Sequence, residues 1–203
     1  MTRVLWDVDT QFDFVNHDGK LAVPDAEGAV PAMKRLVDAA RAAGITHIAS
    51  ADDHELTDGE ISETPDFSAT YPPHCLRGTR GAEKIAETAQ DDPVPLALTD
   101  VPDRWLRGRE FLLLKKSFDV FTNPNAERLL ERFDPEEVIV FGVATDVCDD
   151  AAIRGLLDRG RRVAFVEEAS AGLDQARTAA CIASWRDRGV RFATVDDVVA
   201  QLG

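Results

Sequence analysis

The sequence has no run of about 18 uncharged apolar residues, the length a helix needs to cross a bilayer, so no membrane span is expected. It opens Met1-Thr2-Arg3-Val4-Leu5-Trp6-Asp7, reaching an acidic residue before an apolar signal core could form. Neither a signal peptide nor a transit peptide is therefore expected. Cysteine is scarce. Cys75, Cys148 and Cys181 are too few, and odd in number, for a disulfide framework, which fits a reducing, cytoplasmic location. Positive charge is also short: 23 Lys and Arg against 37 Asp and Glu give a formal net charge of −14. Such a charge repels phosphate backbones and anionic bilayers, so neither nucleic acid nor membrane is an expected partner. No internal repeat, linker or low-complexity tract occurs, and no Gly-x-Gly-x-x-Gly follows the first apolar run, which argues against a dinucleotide-binding dehydrogenase.

What is present is an ordinary globular balance. The 203 residues are 44% apolar and 30% charged, enough for one domain over residues 1–203 with a substantial core. Strand-length apolar runs, Val4 to Val8, Ile45 to Ala51, Phe111 to Leu114, Val138 to Val143 and Val163 to Val166, alternate with segments of helical period. The predicted helices are Ala29 to Ala43, Asn125 to Phe133, Cys148 to Arg159, Asp174 to Arg188 and Asp196 to Leu202, with Gly44, Gly160 and Gly189 as stops. Uninterrupted Val, Ile and Leu runs suit parallel strands buried on both faces, and the class is α/β with a mostly parallel open sheet. Asp52 to Arg80 is different. Dense in Asp, Glu, Thr, Pro and His, it is too long for a plain connector, and its potential metal ligands mark it as functional.

Ligands of open α/β sheets bind beyond the carboxyl ends of the strands. There the topology gathers Asp9 after the first strand, Asp52 and His54 after the second, Lys115 after the Phe111 run, and Cys148 at a helix start. Unpaired N–H groups of that first helical turn favour a thiolate at Cys148, Lys115 would lower its pKa further, and Asp146, Asp149 and Asp150 oppose both. The same N–H groups could hold an oxyanion. The ordinary alternative is a buried core thiol, and that reading stands for Cys75 and Cys181. Asp9 could move a proton as acid and base, or simply cap backbone N–H groups. Lys116 is the solvated neighbour of Lys115. Asp52, His54, Glu60 and His74 offer imidazoles and carboxylates suited to a divalent transition metal such as zinc, iron or manganese, unless they belong to a solvated polar loop.

Six pieces taken in order carry a resemblance: Asp9-Thr10-Gln11-Phe12-Asp13-Phe14, Asp52-Asp53-His54, Thr64-Pro65-Asp66-Phe67, Pro72-Pro73-His74-Cys75, Gly78-Thr79-Arg80-Gly81-Ala82, and Gly142-Val143-Ala144-Thr145-Asp146-Val147-Cys148. Together, across most of the chain, they resemble the nicotinamidase and pyrazinamidase branch of the isochorismatase-like cysteine hydrolases. The resemblance implies a six-stranded, mostly parallel sheet with helices on both faces. It implies Cys148 as nucleophile, Asp9 as acid and base, and Lys115 as third catalytic member. It also implies an oxyanion hole at the N–H groups of Ala144 and Cys148 beside a cis Val143–Ala144 peptide. Asp52, His54 and His74 fall on metal ligands, and Phe14 and Tyr71 on aromatic walls that grip a flat ring. Three departures stand out. Glu60 replaces a frequent metal-site histidine, and a carboxylate there could ligate directly or through water. Tyr71 replaces a frequent tryptophan, and Phe118-Asp119-Val120-Phe121 replaces the usual Tyr and Ser after the lysine.

The expected activity is a metal-assisted amidase acting on nicotinamide or a similar small aromatic amide through a thioester. The alternatives are a family hydrolase of another small amide or of a vinyl ether, and a non-catalytic metal-binding scaffold. A haloacid-dehalogenase-type phosphatase fits poorly, because Gln11 stands where that motif places Thr or Val after Asp7. A homo-oligomer is possible on this sequence.

Overall fold

Continuous apolar runs build the centre of the molecule. In the computed structural model, which describes residues 2–203, the strands are β1 (Arg3–Val8), β2 (Thr46–Asp52), β3 (Val94–Leu96), β4 (Glu110–Lys115), β5 (Glu137–Val143), β6 (Arg162–Ala171) and β7 (Arg191–Phe192). They form one sheet in the order β3-β4-β2-β1-β5-β6-β7, with every neighbouring pair parallel. The expected six strands are thus corrected to seven. The outermost strands, β3 and β7, are three and two residues long, too short to show a period in sequence. Pro95 sits in β3, an edge strand, where a missing N–H is tolerated.

The helices are α1 (Phe12–Val15), α2 (Ala26–Ala43), α3 (Pro124–Phe133), α4 (Cys148–Asp158), α5 (Gln175–Asp187) and α6 (Val195–Leu202). Alternation along β1 sends Val4, Trp6 and Val8 into a core with Leu129 and Leu130 of α3, Ile153 and Leu156 of α4, and Trp185 of α5. Leu5 points the other way, into a second core with Met33, Leu36 and Val37 of α2 and Val198 of α6. Both faces of the sheet are therefore covered, which is why its central strands read as unbroken apolar runs. Gly44, Gly160 and Gly189 end or follow their helices at φ of 65°, 69° and 84°, the left-handed region where a Cβ is penalised. Helix α2 begins three residues earlier than its periodicity predicts, because Ala26 extends its buried face. Among the described residues no helix is long and apolar enough to cross a membrane.

At the amino-terminal edge of the sheet, Glu137 is buried and bonded to two arginines. Arg191 donates to both of its oxygens at 2.9 Å, and Arg3 Nε donates at 3.3 Å. Burial works against the charge, but Arg191 and Arg3 outweigh it and hold the carboxyl below the usual glutamate range. Because the folded-state value is depressed, the stabilisation is complete above the ordinary carboxylate range and is lost as pH falls through the folded value. Glu137→Gln is expected to cost about 1.5 kcal/mol at pH 7 in urea denaturation. The gap to the parent should close as pH falls below about 4.

Candidate active site

The carboxyl ends of four strands deliver the candidate residues to one place. Asp9 follows β1 at φ 48°, so the chain leaves the strand through a left-handed turn. Asp52 and Lys115 end β2 and β4 as register partners, and Cys148 opens α4 just beyond β5. Strand β5 comes close to β1 here through Gly142, where a Cβ would lie 2.1 Å from the Val8 carbonyl oxygen. Only glycine fits that approach, and its φ of 141° also favours glycine.

Lys115 is fully buried and joins the group together. Its Nζ lies 2.9 Å from Asp9 Oδ2 and 3.8 Å from Cys148 Sγ, and it donates a short bond to Asp52 Oδ1. Burial would strip its proton, yet Asp52 and Asp9 hold it well above the usual lysine range. Asp52 is likewise penalised by burial and kept well below the usual carboxylate range by Lys115, with help from His54 and His74. Asp9 moves upward, because burial outweighs Lys115 and the Asp52 charge adds to it. Burial also pushes the Cys148 thiol well up, more strongly than Lys115 pulls it down. Burial thus opposes the pull toward thiolate that the helix terminus and Lys115 exert. Asp9 Oδ1 accepts from Ser50 Oγ at 2.6 Å, while Oδ2 lies against the Lys115 ammonium without a well-aligned hydrogen bond.

The Val143–Ala144 peptide is cis, as the resemblance implies. The Ala144 carbonyl accepts from Val147 and Asp149, and the Ala144 and Cys148 N–H groups find no acceptor in the backbone bonding of the turn. The N-cap of α4, Val147, supplies no side-chain cap, so the helix end faces the site with donors free.

Next to this trio, donor atoms of Asp52, His54, Glu60 and His74 lie within 4.8 Å of one another, all four residues buried. The Nε2 atoms of His54 and His74 are each 3.6 Å from Asp52 Oδ2, and His74 Nε2 is 4.0 Å from Glu60 Oε1. These spacings are too long for hydrogen bonds and near the separation of about 3.4 Å between donors of a tetrahedral ion with bonds of about 2.1 Å. His74 Nδ1 donates to the Pro72 carbonyl at 2.7 Å, and His54 Nδ1 lies 3.3 Å from Asp58 Oδ2, so both rings turn Nε2 inward. His54 Nε2 is buried without a hydrogen-bond partner. Burial, then the Asp52 charge, pushes the Glu60 carboxyl up, a repulsion that a divalent cation relieves. The donor set fits such an ion, and Lys116 sits outside it, 2.8 Å from Asp58.

A narrow cavity opens onto Cys148. Phe14, Tyr71, Asp52, Glu60 and His74 line it, and Leu21, Val23, Val147 and Leu173 complete a mostly apolar wall. Those four were not legible in sequence, since nothing in the order of residues marks them apart from core. Ser50 was also missed, although a lone hydroxyl two residues before Asp52 in an apolar strand is a usable signal. Asp13 is a third omission: its carboxylate accepts the N–H groups of Cys75 at 2.7 Å and Lys20 at 3.0 Å, tying α1 to the loop that carries His74. Asp149 is buried with neither oxygen hydrogen-bonded, and burial pushes its carboxyl well above the usual range. Cys75 is in the second core, and Cys181 lies on α5, half-buried against the first. Of the segment 118–121, Val120 is buried and Phe118 exposed at an outer groove beside Tyr71 and Val147.

The model of the isochorismatase domain matches residues 4–197, and the chain belongs to that family. Its curated relatives come from the nicotinamidase branch. The nicotinamidase/pyrazinamidase of Mycobacterium tuberculosis is 27% identical over 193 residues, 94% of this chain and 97% of that protein. The nicotinamidase of Escherichia coli is 26% identical over 191 residues, covering 85% and 84%. Among solved structures, the pyrazinamidase of Pyrococcus horikoshii in complex with zinc shares the fold at a TM-score of 0.76 and 20% identity, covering 96% of this chain and 99% of that one.

Asp13→Ala would strand two inward-facing N–H groups. It is expected to lower stability by about 2 kcal/mol in chemical denaturation. Asp13→Asn, which keeps an acceptor, should recover part of that loss.

Proposed function

We propose that the chain is a cytoplasmic, metal-assisted cysteine amidohydrolase that converts nicotinamide or a similar small aromatic amide to its acid and ammonia. Its family and curated relatives make it an amide-bond hydrolase. The observation that carries the finer reading is the position of Lys115 between Asp9, Asp52 and Cys148, the last two of which line a mostly apolar cavity walled by Phe14 and Tyr71.

A flat ring enters between Phe14 and Tyr71 and brings its carboxamide over Cys148. Asp9 takes the thiol proton as Sγ attacks the carbonyl carbon, so the thiolate exists only while the bond forms. The N–H groups of Ala144 and Cys148 receive the negative charge that develops on the oxygen. Lys115 stays protonated throughout and keeps Asp9 oriented. Asp9 then returns the proton to nitrogen, ammonia leaves, and a thioester remains on Cys148. Water gives a proton to Asp9 as it attacks the thioester, the acid is released, and the thiol is re-formed. Asp52, His54, Glu60 and His74 would hold zinc, iron or manganese, which supplies a Lewis-acid anchor for a ring nitrogen. Two carboxylates and two neutral imidazoles balance a dication without net charge, whereas a third imidazole in place of Glu60 would leave one positive charge.

The test is ammonia release from nicotinamide by protein stripped with a chelator and reloaded in turn with each of the three metals. Stripping should abolish turnover and one of the metals should restore it. Cys148→Ala is expected to remove turnover entirely while still binding metal, and Asp9→Asn to reduce kcat by about 10²- to 10⁴-fold. Turnover surviving in Cys148→Ala overturns the mechanism. Turnover of other small aromatic amides but not of nicotinamide overturns only the choice of substrate.

A further inference from the structure

Beneath the turn that carries Asp9 lies a second buried ion cluster that takes no part in the steps above. Asp7, within β1, is fully buried, and Lys84 Nζ sits 2.8 Å from its Oδ2. His47 Nε2 is 3.5 Å from the same oxygen. Thr10 Oγ1 donates to the Asp7 carboxylate at 2.8 Å and meets Thr88 Oγ1 at 2.6 Å. A buried ion pair gains little net stability over apolar residues of similar volume, so stability alone does not account for this one.

The segment bearing Lys84 is stitched to the Asp9 turn along its length. Phe12 N–H donates to the Glu83 carbonyl at 2.8 Å and Ile85 N–H to the Thr10 carbonyl at 3.0 Å. Gln11 and Lys84 form an antiparallel bridge, and the Arg80 guanidinium lies 4.1 Å above the Phe12 ring. Gln11 extends the link to the metal cluster. Its Nε2 donates to the Ala82 and Asp52 carbonyls, both at 2.8 Å, and its Oε1 accepts from the Asp52 N–H at 2.7 Å. One segment thus braces both carboxylates that share Lys115. Asp9 needs a brace, because its φ of 48° is a conformation that a non-glycine residue leaves when it is free to relax.

We propose that Asp7 and Lys84 form a positioning pair: their buried contact pins residues 82–88 beneath the Asp9 turn and so sets the placement of Asp9 against Lys115 and Cys148. This rests on the reading of Asp9 and Cys148 as reacting partners, and it adds two residues that touch neither substrate nor metal.

The readouts are the rate of iodoacetamide alkylation at the Cys148 peptide, followed by mass spectrometry in metal-loaded protein, and amide hydrogen exchange at Phe12 and Ile85. Lys84→Met takes the ammonium from the buried Asp7 carboxylate and should lower Tm, slow alkylation and speed exchange. Asp7→Asn/Lys84→Met removes both charges while keeping an acceptor for Thr10, so Tm should recover, and this variant carries the test if the single one fails to fold. A positioning role predicts that in the double variant alkylation stays at least about tenfold slower than in the parent and exchange stays fast. Parental alkylation and exchange in the double variant would overturn the proposal, leaving a purely structural pair. Parental alkylation in Asp9→Asn would instead overturn the role of Asp9, while exchange still decides whether the pair pins the turn.

Discussion

Everything at the carboxyl edge of the sheet depends on the contact between Lys115 and Asp52. An ammonium with no access to solvent is sustained only by matching negative charge, and Asp52 and Asp9 supply it. Asp52 spends one oxygen on Lys115 and turns the other toward His54 and His74. A single carboxylate therefore belongs to two arrangements at once, the proposed catalytic trio and the proposed metal shell. Moving it would disturb both.

The fold makes that sharing possible at small cost. Parallel strands β2 and β4 bring Asp52 and Lys115 level as register neighbours, so no loop has to hold them in place. The departures from regular backbone collect around them: Asp9 in a left-handed turn, Gly142 against the Val8 carbonyl, and the cis peptide before Ala144. The long segment after Asp52 is equally economical. It carries His54, Glu60, Tyr71 and His74, so three of the proposed metal ligands and one wall of the cavity arrive together.

Much of this was legible in sequence because strand ends are legible. Asp9, Asp52, Lys115 and Cys148 each close or follow an apolar run, and an open parallel sheet aligns such ends. Edge strands were not, since Val94–Leu96 and Arg191–Phe192 are shorter than any detectable period. The balance of charge and burial at Cys148 was not legible for another reason. Neighbouring charges can be listed from sequence, but the desolvation that outweighs them depends on burial, which only the packed structure supplies. Asp7 with Lys84, and Asp13 with Cys75, were hidden by distance along the chain: each partner alone looks like one more polar residue in an acidic protein.

The burial of Cys148 has a consequence for survival. Peroxides and disulfides react with thiolates far faster than with thiols. A sulfur buried where the thiolate is disfavoured is shielded from oxidants that would convert an exposed, low-pKa cysteine to a sulfenic or sulfinic acid. In the mechanism proposed above, the arrangement at Cys148 exchanges standing reactivity for chemical endurance.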